Sequence, residues 1–187
     1  LGTNLTLQAG WSKTMTINGD ISGPGSVIIG ADSGVVLLGG SNTFGGNLAM
    51  PTQTSRVRLL SNEAIPYGPG RGGVVTRTIL DLNGTSPRAN WIEGSQWARI
   101  VNSNPTLSVL TIGEGDADTR YWSGVLNDAG GPLGLRKVGS GIAALQAVGT
   151  NTMSGGVSVE GGTLALDSSP NSAIAVAAGG EARLVNR

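Results

Sequence analysis

The chain has 187 residues, enough for one extended domain with a substantial core. Charged residues are only 13 % and balance at twelve of each sign with no basic run, which disfavours nucleic acid and anionic membrane as partners. With neither cysteine nor histidine, the chain has no disulfide, no thiolate chemistry, no Ser-His-Asp or Cys-His machinery and no His-ligated zinc.

Residues 1–50 alternate short apolar runs with turn signals. Strands are predicted at Asn4–Leu7, Thr14–Ile17, Ser26–Ile29, Val35–Leu38 and Asn47–Met50. The turns are Asn18-Gly19, Ser22-Gly23-Pro24-Gly25, Gly39-Gly40 and Gly45-Gly46. A strand recurs about every ten residues, too tightly for intervening helices. Residues 51–83 continue with Arg56–Leu60 and Val74–Leu82 around a loop at Pro66-Tyr67-Gly68-Pro69-Gly70. Residues 84–125 hold most of the aromatics, with strands expected at Ile100-Val101, Leu107–Ile112 and Trp122–Leu126. Beyond them come Ile142–Leu145, Val157–Val159 and Thr163–Leu166, punctuated by Gly155-Gly156 and Gly161-Gly162. Val157 and Val159 point one way and Ser158 the other, the period of two of a half-buried strand. No apolar run approaches the ~20 residues needed to span a bilayer. A start at Leu1, directly in strand-like sequence, suggests a processed chain or a portion of a longer one.

The same phrases occur twice. Gly34–Leu38 resembles Gly141–Leu145, and Ser41-Asn42-Thr43-Phe44-Gly45-Gly46 resembles Thr150–Gly156. Gly23-Pro24 returns at Gly131-Pro132, 108 positions on, and Asn42 returns at Asn151, 109 positions on. The expectation is one β-solenoid over 1–187, with copy one at 1–108 and a partial copy two at 109–187. Repeats of this kind bury their apolar faces by stacking one unit on the next. The corners are assigned to Asn42, Gly45, Gly46, Asn151, Gly155 and Gly156. Asn42 and Asn151 read equally well as members of an amide ladder or as residues tolerant of a left-handed turn.

Several of these segments carry a family resemblance. Leu110–Gly113, Trp122–Leu126, Lys137-Val138-Gly139-Ser140-Gly141, Thr150–Gly156 and Gly161–Leu164 resemble the autotransporter-associated β-strand repeat, as does Leu80-Asp81-Leu82-Asn83-Gly84. The likeness covers both copies and about two thirds of the chain. Ala143-Ala144, Met153 and the absence of a lysine before Gly30 depart from the family pattern. The resemblance implies an all-β, right-handed parallel β-helix in an extracellular or bacterial cell-surface protein.

The candidate sites are few. Glu114, Asp116 and Asp118 form the best acidic cluster, suited either to a calcium ion or to an ordinary solvated turn. Glu93, Asp116, Asp118 and Asp128 are the acids available for glycoside hydrolysis, with no spacing that favours a pair. Trp91, Trp97, Tyr121 and Trp122 either form a sugar-stacking platform or fill the core of a wide coil. The leading expectation is a non-enzymatic, extracellular structural module without a cofactor. It stacks end to end with other copies or with neighbouring repeats of a longer chain. A carbohydrate-binding, adhesin-like or carbohydrate-acting β-helix, with a glycan as partner, is the alternative.

Overall fold

The computed structural model describes residues 2–32, 34–114, 118–147, 149–167 and 173–185. The chain winds as a parallel β-solenoid, each coil supplying up to three short strands to three faces. The first coil holds β1 (Leu5–Leu7), β2 (Thr14–Ile17) and β3 (Ser22–Gly23), and the second β4 (Val27–Ile29), β5 (Val35–Leu38) and β6 (Thr43–Phe44). The third holds β7 (Leu48–Met50) and β8 (Arg56–Leu59), followed by the Pro/Gly loop. The fourth holds β9 (Val74–Thr76), β10 (Ile79–Asp81) and β11 (Arg88–Ala89). The fifth has β12 (Ile92–Gly94), β13 (Arg99–Asn102) and β14 (Ser108–Ile112). The sixth has β15 (Thr119–Trp122), β16 (Val125–Asp128) and β17 (Leu133–Lys137). The last coils contribute β18 (Ile142–Leu145), β19 (Val157–Val159), β20 (Gly162–Leu166), β21 (Ile174–Val176) and β22 (Gly180–Leu184). Among the described residues there is no helix.

The first face is a nine-stranded sheet in the order β1-β4-β7-β9-β12-β15-β18-β20-β22. The second stacks β2, β5, β8, β10, β13 and β16, and the third β3-β6 and then β11-β14-β17-β19-β21. The pairings between coils are parallel, as a coil wound in one sense requires. Nine strands about 4.8 Å apart make a column roughly 40 Å long.

Parallel stacking sets like above like. Inward ladders run Leu5–Val27–Leu48–Val74–Ile92 on the first face and Met15–Val36–Val57–Leu80–Ile100–Leu126 on the second. The third carries Leu110–Leu135–Val157–Ile174. Side chains in the middle of each ladder are buried, while Leu5, Met15 and Ile174 at the ends are only half-buried. Each fully buried aliphatic side chain stabilises the coil by about 1.5–3 kcal/mol, and neither neighbouring coil could bury it alone.

Three expectations change in detail. Val74–Leu82 is not one strand: Arg77-Thr78 turns the corner between β9 and β10. Trp122–Leu126 is likewise divided, with Ser123-Gly124 at the corner between β15 and β16. Gly124 has to be small there, because a Cβ would lie 2.8 Å from both the Ala98 Cβ and the Trp122 ring. The structural unit is the single coil, which along the first face is as short as the step from Val74 to Ile92 and as long as that from Gly94 to Trp122. The offset between the matched phrases is not a whole number of such coils, and it moves a segment round by one face. Val35–Leu38 lies in the second face, whereas Ile142–Leu145 lies in the first. The matched phrases share a strand-and-corner grammar rather than a position in the coil.

Candidate functional site

Asparagines hold the corners. Asn42 accepts at Oδ1 from the Ile21 amide (2.8 Å) in the coil before it and donates from Nδ2 to Ala64 O (2.7 Å) in the coil after it. A second Nδ2 bond reaches Gly39 O at 3.0 Å. Asn151 accepts from the Leu126 amide at 2.9 Å. Both side chains bond backbone rather than another asparagine, so neither forms an amide ladder. They also occupy different corners: Asn42 follows β5 of the second face and Asn151 follows β18 of the first. Asn90 and Asn102, which the sequence does not single out, do the same work. Asn90 bonds Gly68 and Arg71, and Asn102 spans from the Gly84 amide to Pro132 O.

The corner glycines divide by cause. A Cβ at Gly46 would lie 2.7 Å from the Ser26 amide, and one at Gly155 2.7 Å from the Gly134 amide, so close approach of coils requires glycine there, whereas at Gly45 the nearest atom, Pro24 O, would be a tight 3.1 Å away. Gly156 has open space around it and a φ of +90°, so conformation requires it.

Lys137 is the least expected core residue. It takes an inward position between Ile112 and Val159 and is only 2 % exposed. Its Nζ donates to the carbonyls of Val138, Gly139 (3.1 Å) and Gly161 (3.2 Å), tying the corner after β17 to the next coil. A buried ammonium is tolerated only with such partners.

The four aromatics do not form one platform. Trp122 is 1 % exposed and belongs to the core, standing between Gly94 and Leu145 in the first-face ladder. Its bulk is accommodated by Gly94, where a Cβ would lie 2.5 Å from Trp122 Cζ3. Trp91 is half-buried, with the Arg120 guanidinium 4.5 Å from its ring centroid. Tyr121 is exposed on the outside of the first face, and Trp97 is 59 % exposed at the corner between the first and second faces. Trp11, which no sequence pattern singles out, is 77 % exposed at the same corner of the first coil. Only burial tells these indoles apart, and burial depends on the coil above and below.

The acids are engaged. Glu114 accepts from Arg88 at 2.5 Å, and Arg120 pairs with Asp118 at 3.3 Å and Glu93 at 3.9 Å. The Glu114 contact raises the Arg88 pKa above its ordinary value. Asp128 accepts from the Leu133 amide at 2.7 Å and from the Ser154 amide. Asp116 lies outside the described residues. Among the described residues no three acidic side chains gather as a cation site.

Arginines on the second face and at its corner differ. Arg58 pairs with Asp81 at 2.8 Å, but Arg56, Arg77 and Arg99 are exposed and have no carboxylate partner among the described residues. Elsewhere Arg136 pairs with Glu160 at 2.5 Å and Arg183 with Glu181 at 2.7 Å. Unpaired positive charge thus collects on one side of a neutral chain.

No protein-family model, curated protein or solved structure matches this chain.

Proposed function

We propose that the chain is a non-enzymatic structural module, a β-solenoid segment of a bacterial surface stalk or fibre whose ends accept further coils. The observation that carries this reading is the state of the last coils. Leu184 stacks above Leu166 and Val176 above Val159, in line with buried residues, yet they are 64 % and 50 % exposed. A strand edge with unpaired backbone and uncovered apolar side chains is a template for another strand. Leu5, Met15 and Ile17 are correspondingly half-buried in the first coil. Head-to-tail contacts between such ends do not close and give open fibres. The extracellular or cell-surface setting rests on the resemblance to autotransporter-associated β-strand repeats, and the lack of histidine and cysteine favours a structural role over a catalytic one. Sedimentation velocity at rising concentration tests the reading. The chain should grow through its ends, and Leu184→Lys, which sets a charge on the open edge, should suppress that growth. Unchanged association of the variant would count against it.

A second reading, a carbohydrate-binding surface on the side of the solenoid, is favoured by the exposure of Trp97. A carbohydrate-acting form has less support, since Glu93 and Asp118 face Arg120 and Asp128 caps backbone amides.

A further inference from the structure

The exposed indole of Trp97 stands between two of the unpaired arginines. Arg77 lies beside it on one flank, with Gln53 and Gln96, and Arg99 on the other. On the second face Arg56, Ile79 and Arg99 are stacked in register, with their side chains outward. Arg56 and Arg99 are therefore two coils apart, about 9.6 Å along the column. Asp81, in the same strand as Ile79, is already held by Arg58 and by Ser103 Oγ (2.7 Å). Among the described residues no cation stands over the ring of Trp97, unlike that of Trp91 under Arg120.

We infer that Trp97 with Arg56, Arg77 and Arg99 forms a binding site for an anionic polysaccharide, one bearing carboxylate or sulfate groups, that lies along the coil axis. This rests on the carbohydrate-binding reading and is independent of end-to-end stacking. Each part of the ligand has its counterpart. The C–H face of a pyranose ring packs on the indole, and planar guanidinium groups match carboxylate or sulfate oxygens two at a time. The amides of Gln53 and Gln96 suit sugar hydroxyls. Recurrence of charge at every second coil suits a polymer whose anionic groups also recur. An acidic peptide fits less well, because a sheet face, with its backbone already paired between coils, offers no edge for strand addition.

Isothermal titration of the folded chain tests the assignment with three saccharide probes, an oligogalacturonate, a carrageenan oligosaccharide whose only anionic groups are sulfates and neutral cellohexaose, beside a poly-glutamate control. The two anionic probes should bind, more weakly as salt is raised, and the neutral one should not. Preference for one anionic probe assigns carboxylate or sulfate. Arg56→Gln and Arg99→Gln should each weaken binding about tenfold or more, and Trp97→Ala should abolish it, with unchanged melting temperatures showing that the fold is intact. Binding of cellohexaose alone, lost in Trp97→Ala, would keep the carbohydrate reading and overturn the anionic site. Equal binding of a poly-glutamate peptide would overturn the glycan, and no binding to any probe would remove both.

Discussion

Replacing Asn102 should cost more than replacing any other corner residue. Its side chain is fully buried and makes hydrogen bonds through both of its polar atoms. Oδ1 accepts from the amides of Gly84 (2.9 Å) and Asn104 (3.1 Å), and Nδ2 donates to Thr106 O (2.7 Å) and Pro132 O (2.8 Å). Asn102→Ala strands the Gly84 and Asn104 amides and the Thr106 carbonyl, each worth about 1–3 kcal/mol if nothing replaces the lost partner, while Pro132 O keeps the Ser108 amide at 3.1 Å. Thr106 is exposed and Asn104 half-buried, so water can reach that side of the gap. The remaining cost is about 2–3 kcal/mol, concentrated at the Gly84 amide in the coil before and at the lost tie to Pro132 in the coil after. For a chain of this length that is a fall of about 8 °C in melting temperature. Circular dichroism reads the global change, and amide hydrogen exchange at Gly84 reads the local one. Asn102→Asp separates the halves: it keeps the acceptor but sets a carboxylate against two carbonyls. It should be as damaging as alanine at neutral pH and recover partly when protonated. Asn102→Ala within about 0.5 kcal/mol of the parent would refute the stitching role, since that is the range of an ordinary surface change.

Three further outcomes follow from the same contacts. Gly94→Ala should destabilise by about 1–3 kcal/mol through overpacking against Trp122, and adding Trp122→Leu should recover part of it in a double-mutant cycle measured by urea unfolding. Lys137→Met should cost about 2 kcal/mol: three carbonyls lose their donor, and relief from burying an ammonium offsets only part of that loss. Calorimetry showing a gain in stability would mean that the buried charge outweighs its bonds. Arg136 holds the Glu160 carboxyl below its ordinary value of 4.5, and Arg183, then Thr163, do the same for Glu181. Because these folded-state values are depressed, the stabilising contribution is present above the ordinary value and disappears as pH falls through the lower one. Melting curves from neutral to acid pH should decline in that window. Glu160→Gln should flatten part of the decline while changing little at neutral pH, since the pair is on the surface.

The coil grammar is legible because it is local. Val157-Ser158-Val159 alternates, Gly155-Gly156 turns, and parallel stacking adds nothing that the strand must encode itself. What depends on the coil above or below is not legible. Ser22-Gly23 reads as a turn and Thr43-Phe44 is assigned to no strand, yet each is pulled into a two-residue strand by pairing with the other. Leu133–Lys137 contains Gly134, Arg136 and Lys137 and does not look like a strand. It becomes one between β14 and β19, with its lysine inside because carbonyls of the following corner and the next coil receive it. The aromatic residues show the same limit. Trp122 is core because Gly94, its partner in the coil before, leaves room, whereas Trp97 stands in solvent at a corner. The unpaired arginines were invisible for a related reason. Arg56, Arg77 and Arg99 look ordinary until winding brings them to one side, where the neighbouring Asp81 is already taken by Arg58.

Negative-stain electron microscopy of the purified chain over a range of concentrations tests most directly whether the exposed coils at either end accept others. The account predicts rods of constant width that lengthen with concentration in steps of roughly 40 Å, the column length of one chain. Particles of a single size at every concentration, no longer than one column, would contradict it.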